Sequence, residues 1–123
     1  MIETPKNYSM QTLRITKVST NFPAPLNFLE RVDSVIEQNI DNDAFCMAYL
    51  QRRLLMSSSQ IYRRIKQETG CSPSVYIRRQ RLKYAYALIL RSDLSLSEIS
   101  YRVGFNGLSY FSRCFSKYYG APP

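Results

Sequence analysis

The chain has no histidine and only three cysteines, Cys46, Cys71 and Cys114. Without an imidazole there is no His-based catalytic relay and no Cys/His zinc site, and three cysteines do not make a disulfide framework. An odd, sparse cysteine set fits a reducing cytoplasm. Acids are also scarce, nine against seventeen Lys and Arg. They are scattered, so no constellation for acid–base or nucleophilic work emerges, and an enzyme is the least expected class. The longest apolar run, residues 84–90, is far too short to span a bilayer, and the sequence does not open on a signal-peptide pattern. The expectation is a cytoplasmic, nucleoid-associated protein without membrane association. Neither a metal nor any other cofactor is implied.

What is present points elsewhere. At 123 residues and 45% hydrophobic content the chain can build one compact domain, or two small ones sharing an element. The formal charge is +8, and its distribution says more than its total. Nine of the basic residues fall between Arg52 and Lys83 with one acid, Glu68, whereas five of the nine acids fall between Glu30 and Asp43. A positive field concentrated on one part of the chain suits a polyanion. A charge run by itself fits a solvated basic helix equally well.

A duplication decides between them. Residues 59–73 (SQIYRRIKQETGCSP) and 109–123 (SYFSRCFSKYYGAPP) align, pairing Ser59 with Ser109, Ile61 with Phe111, Arg63 with Arg113, Ile65 with Phe115 and Gly70 with Gly120. Upstream, Leu50, Leu54 and Met56 pair with Ile99, Val103 and Phe105 at an offset shorter by one, which an extra residue in the second turn accounts for. Each copy reads helix, tight turn, helix, glycine stop. A repeated helix-turn-helix in a basic chain implies a DNA reader.

The remaining elements follow from periodicity and caps. Residues 1–26 lack a sustained period and read as a linker or tail, with a short alternating piece at 13–18 that could pair as a strand. A first helix is expected over about 26–39, with Phe28, Leu29, Val32, Val35, Ile36 and Ile40 on one stripe. A second is expected over 47–55, burying Met47, Leu50 and Leu54. Ser57 with Gln60 forms a capping box for a third helix that Gly70 stops. Ser72 followed by Pro73 launches a fourth helix to about residue 91, on the order of 28 Å long, with Ile77, Leu82, Ala85, Leu88 and Ile89 as its apolar face. Ser95 with Glu98 is a second capping box, and a sixth helix runs from Leu108 to Tyr119. The fold class is therefore all-α: two helix-turn-helix subdomains joined by a long central helix. The domain spans 27–123, with the first motif at 44–70, the linker helix at 73–91 and the second motif at 95–120.

In the third helix Ile61 and Ile65 point inward, while Ser59, Tyr62, Arg63 and Lys66 share a free face. In the sixth, Phe111 and Phe115 point inward, while Ser109, Ser112, Arg113 and Ser116 share the equivalent face. Arginine can grip guanine through two parallel hydrogen bonds, and hydroxyls accept several base edges or phosphates. The candidate contact set is Ser58, Ser59, Tyr62, Arg63 and Lys66 in the first motif, and Leu108, Ser109, Ser112, Arg113 and Lys117 in the second. The first, with Arg63, Arg64 and Lys66, is expected to carry more affinity and selectivity. Leu108 fits either a thymine methyl or core packing. Of the linker arginines, Arg78 and Arg81 are expected to be structural, with Arg79 and Lys83 open between structure and phosphate contact. The alternative is a helical protein–protein interaction module that does not bind DNA. An RNA binder would want stacking aromatics on a sheet.

The residues Arg63, Gly70-Cys71-Ser72-Pro73, Tyr76-Ile77-Arg78, Arg81-Leu82 and Ala85, then Ile99, Val103-Gly104-Phe105, Ser109-Tyr110-Phe111, Arg113, Phe115, Gly120 and Pro123, resemble the two signature regions of the AraC/XylS family of bacterial transcription regulators. The resemblance covers about 28–123. It implies two helix-turn-helix subdomains on one connecting helix, binding promoter DNA and acting with RNA polymerase. By position it puts base reading on Ser59, Tyr62 and Arg63, and on Leu108, Ser109, Ser112 and Arg113. The style of the first helix is similar to output domains of two-component and hybrid two-component regulators. That implies an N-terminal tail once joined to a receiver or sensor, through which oligomerisation is possible. Two readers spaced by the fourth helix let a single domain bind as a monomer. Against the family pattern, Gln51 and Ser100 stand where alanine is usual, Cys46 replaces a hydroxyl cap at a cost of about 1 kcal/mol, and Gly107 replaces a polar helix starter. The family's short closing helix would lie beyond Pro123, so the second subdomain is expected to fray.

Overall fold

The computed structural model describes residues 26–123, and the expected tail and its 13–18 strand lie outside them, apart from Leu26. The described residues form six α-helices and no strand: α1 (Phe28–Gln38), α2 (Met47–Leu54), α3 (Ser58–Thr69), α4 (Pro73–Arg91), α5 (Leu96–Arg102) and α6 (Leu108–Tyr119).

Caps set most of these boundaries. α1 starts two residues later than its apolar pattern because Asn27 and Glu30 form a capping box, with bonds of 2.9 and 3.1 Å that leave Leu26 outside. α3 carries the expected box, Ser57 with Gln60, and ends at Gly70 in the left-handed region. Ser72 caps α4 with Pro73 in its first turn. At α5 only half of the expected box forms. The Ser95 hydroxyl accepts from the Glu98 amide, but the Glu98 carboxylate turns along the helix to Arg102, 3.0 Å away. Cys46 and Gly107 supply no side-chain bond to α2 and α6.

Packing runs within two sets, α1–α2–α3 and α5–α6, and through α4, which both sets share. This explains the poorest sequence expectation. α4 shows no single apolar stripe because it is buried from more than one side: Tyr76, Arg81 and Tyr84 are buried with Leu82, Ala85 and Leu88, whereas Ile77 and Ile89 are only half-buried. Met47 is half-buried too, lying at the groove described below. Ile61, Ile65 and Phe111 are fully enclosed and Phe115 nearly so, each worth about 1.5–3 kcal/mol. Ser100 is buried with its hydroxyl satisfied by the Ser97 carbonyl at 2.8 Å, so no polar atom is stranded there.

The two motif turns have the same backbone. Leu55 (φ 56°, ψ 46°) and Gly104 (φ 86°) are both left-handed. Each is followed by the same five-residue hydrogen bond, Met56 to Gln51 at 3.3 Å and Phe105 to Ser100 at 2.9 Å. The repeat seen in sequence is a repeat in three dimensions.

Candidate nucleic-acid interface

Burying Ile61 and Ile65 leaves the opposite side of α3 in solvent. Ser58, Ser59, Tyr62, Arg63 and Lys66 are all exposed there. No hydrogen bond or ion pair among the described residues holds Arg63 or Lys66, so both are available to a ligand. Arg64 departs from expectation. Its guanidinium lies 4.2 Å from the Phe28 ring centroid and 3.4 Å from Glu68, which ties it back to α1 and its own helix.

On α6, Leu108, Ser109, Arg113 and Lys117 are exposed and Ser112 is half-buried. Arg113 lies 5.6 Å from the Tyr110 ring one turn earlier, a cation–π contact that leaves its donors facing out. Leu108, at 42% exposure, is not a core residue.

Two grooves lie beside these faces. One, of about 520 Å³, is lined by Tyr62 of α3, by Ile77, Arg78 and Arg81 of α4, and by Gly104, Phe105, Asn106 and Tyr110 of the second motif. Tyr62 of α3 and Tyr110 of α6 thus border one concavity. The other, of about 1090 Å³, lies between α4 and α6. It is lined by Arg78, Arg79, Arg113 and Lys117 with no carboxylate, so a polyanion would meet four cations and no repulsion.

The linker arginines divide. Arg81, expected to be structural, is buried and donates to three backbone carbonyls. Burial pulls its guanidinium below the ordinary arginine range, while Asp43 and Asp41 oppose that pull. Arg78, expected to join it, has no hydrogen bond or ion pair among the described residues and lines both grooves. Arg79 contacts the Cys71 sulfur at 3.8 Å and the Tyr118 ring at 5.4 Å. Lys83 is exposed. Sequence reasoning missed Tyr110 and Asn106 as groove residues. The spacing of Tyr110, Arg113 and Lys117, three and then four apart, was the signal for the first.

Among the described residues no His, Cys, Asp or Glu group is arranged to hold a metal, and no helix is long and apolar enough to cross a membrane.

A family model described as a helix-turn-helix domain matches residues 50–123. The chain belongs to the AraC-type helix-turn-helix family. It is 30% identical to the C-terminal domain of the two-component response regulator yesN from Fusobacterium nucleatum, covering 76% of this chain and 91% of that one at a TM-score of 0.68. It is 28% identical to the DNA-binding domain of AdpA, a global transcriptional factor solved in complex with a target DNA, covering 77% and 84% at a TM-score of 0.68. Among curated proteins, a histidine kinase P4 from Formosa agariphila is 33% identical over 95 residues, 77% of this chain and 7% of that protein. The chain spans less than half the length of the curated relatives it matches. As an AraC-type domain it is a DNA-binding helix-turn-helix unit of a transcription-regulator family, which favours that reading over the protein–protein adaptor.

Proposed function

We propose that this chain reads a two-part site on duplex DNA, with α3 and α6 entering successive major-groove segments. Bases and phosphates would be contacted by Ser58, Ser59, Tyr62, Arg63 and Lys66 on α3, and by Leu108, Ser109, Ser112, Arg113 and Lys117 on α6. The observation that carries this reading is the pairing of two matched helices that each bury one side and leave a polar, basic side to solvent. Successive groove segments on one side of a duplex lie roughly 34 Å apart. Arg78, Arg79 and Lys117 would grip phosphate.

The domain unit is 27–123, with the first motif at 44–70, the linker helix at 73–91 and the second motif at 95–120. One such unit contains both readers, so it binds as a monomer, and any oligomerisation comes from an upstream domain. In this reading it is the output domain of a two-component or hybrid regulator and acts with RNA polymerase in the bacterial cytoplasm. No catalytic role is proposed.

The test starts with selection of bound duplexes from a random pool. Arg63→Ala should then lower discrimination at one base pair of the selected site by about 1–3 kcal/mol. An equal loss on selected and random duplexes would remove Arg63 from the base-reading set.

A further inference from the structure

The chain leaving α1 and the C-terminal cap of α5 converge on one side chain. α1 ends at Gln38 with no basic residue in its last turn, and α5 ends at Arg102 with Val103 as its cap. Helix C-termini leave carbonyls unpaired and carry the negative end of the macrodipole. In the turn that follows α1 and at the cap of α5, three backbone carbonyls are met by Arg81. Its Nη1 donates to the Ile40 carbonyl at 2.6 Å and to the Val103 carbonyl at 2.8 Å, and its Nη2 donates to the Asn42 carbonyl at 2.9 Å. Two of these acceptors follow α1 in the first motif's half of the molecule, and the third belongs to the second motif.

The fit around the guanidinium is close. Arg81 is 7% exposed. A Cβ at Gly104 would fall 1.6 Å from Arg81 Nη1 and 2.7 Å from the Ile40 carbonyl oxygen. The turn of the second motif thus presses directly on the chain leaving α1, with the guanidinium wedged beside both. Arg81 and Gly104 also line the groove that separates Tyr62 from Tyr110. No carboxylate stands within ion-pair distance of Arg81 among the described residues. A buried cation held by three carbonyls, with Asp43 and Asp41 acting on it without a direct ion pair, contributes geometry more than net stability.

We propose that Arg81 is a positioning residue that fixes the separation of α3 and α6, and with it the half-site spacing this chain accepts, a role that rests on the two-motif DNA reading above. The planar fork suits it. Its donors leave in fixed directions, so three carbonyls on two chain segments cannot shift independently while all three bonds are kept. An ammonium is a point charge on a flexible stem and does not impose that constraint. A rigid pair of readers gains its second contact only when the DNA matches their span, whereas a loosened pair tolerates mismatch and binds the matched site less tightly.

The experiment uses the full chain and the duplex it selects from a random pool, with the same duplex lengthened by one base pair between its half-sites. For the wild-type chain the insertion should cost on the order of 100-fold in affinity, because the second motif can no longer engage while the first is docked. Arg81→Met should bind the unaltered site about tenfold more weakly, and its insertion penalty should shrink to about threefold. Arg81→Lys should fall between the two. A substitution that merely lowered stability would weaken both duplexes alike and leave the ratio untouched. Circular dichroism and thermal melting establish that each variant is folded, and if Arg81→Met is not, Arg81→Lys is the variant that decides. A folded variant that keeps the whole wild-type penalty overturns the inference and leaves the two-motif reading standing. If the wild-type chain itself protects one half-site and ignores the insertion, the two-motif reading fails and the positioning role fails with it.

Discussion

Leu55 and Gly104 sit at the same point of two matched turns, both left-handed, yet substitution should act in opposite directions at the two. Leu55 is 88% exposed, so removing its side chain forfeits little burial. A left-handed leucine carries about 1–2 kcal/mol of steric cost, and a glycine adds back about 0.5–1 kcal/mol of unfolded-state entropy. Leu55→Gly should therefore stabilise the chain by about 0.5–1 kcal/mol. Gly104→Ala meets three penalties together: the left-handed φ of 86°, the Arg81 guanidinium 1.6 Å from the new Cβ, and the Ile40 carbonyl at 2.7 Å. The guanidinium can swing aside, but the carbonyl belongs to backbone and must be displaced. Overpacking of this kind costs about 1–3 kcal/mol, and with the conformational term the loss should reach about 2–3 kcal/mol. Urea denaturation of each variant at neutral pH reads both changes as midpoint shifts at constant slope. If Gly104→Ala lost less than about 1 kcal/mol, the close approach of the two motifs at this turn would be wrong. A destabilised Leu55→Gly would remove the left-handed assignment at Leu55.

The remaining expectations concern charge. Lys66→Ala should weaken binding by a similar factor on selected and random duplexes, and should lower the slope of log affinity against log salt by about one unit, measured by titration at several salt concentrations. An unchanged slope would take Lys66 off the phosphate backbone. The Tyr119 phenol is raised above its ordinary value of 10.0, first by burial and then by Tyr118 and Tyr86. The folded state therefore holds this proton longer than the unfolded chain, and the stability it contributes is intact below about pH 10 and lost as pH climbs through the folded value. Alkaline denaturation should show that loss, and Tyr119→Phe should flatten it. A Phe variant with the wild-type alkaline slope would assign the loss to other groups.

Local chemistry was legible in the sequence wherever one residue decides a conformation. Ser57 with Gln60, Ser72 before Pro73, and the glycines at 70 and 120 fix helix ends through hydrogen bonds and backbone freedom that depend on neighbours in sequence alone. The inward pairs Ile61/Ile65 and Phe111/Phe115 were legible because each helix buries one side. α4 was legible only in part, with Leu82, Ala85 and Leu88 buried as expected, for the opposite reason. A helix packed by both motifs has no single dry face, so periodicity marked Ile77 and Ile89 and passed over Tyr76, whose hydroxyl donates to Asp33 at 2.6 Å. Arg64 was misread because its partner Phe28 is thirty-six residues away in sequence. Arg81 was expected to be structural, but its three acceptors are backbone carbonyls, which carry no sequence signal.

The two copies have kept a backbone while solving its burial differently. The first motif is covered by a third helix, α1, whose buried Phe28, Val32, Val35 and Ile36 pack with α2 and α4. The second motif fills its interior with rings. Phe105, Phe111, Phe115 and Tyr119 form a continuous chain of contacts at centroid separations of 5.3, 5.8 and 4.6 Å, and Tyr86 of α4 stacks on Tyr119 at 5.2 Å. Aromatic side chains bury roughly 150–250 Å² each, so a few rings cover much of this interior. The difference has a consequence for reading DNA. A face backed by three helices can present Tyr62, Arg63 and Lys66 with little need for outside support. The α6 face rests on rings and packs on both α5 and α4, so its arginine and serines depend on both for their position. Anything that shifts α4 relative to the second motif should therefore be felt at α6 before α3, and the order in which half-site footprints disappear under rising urea would display that difference.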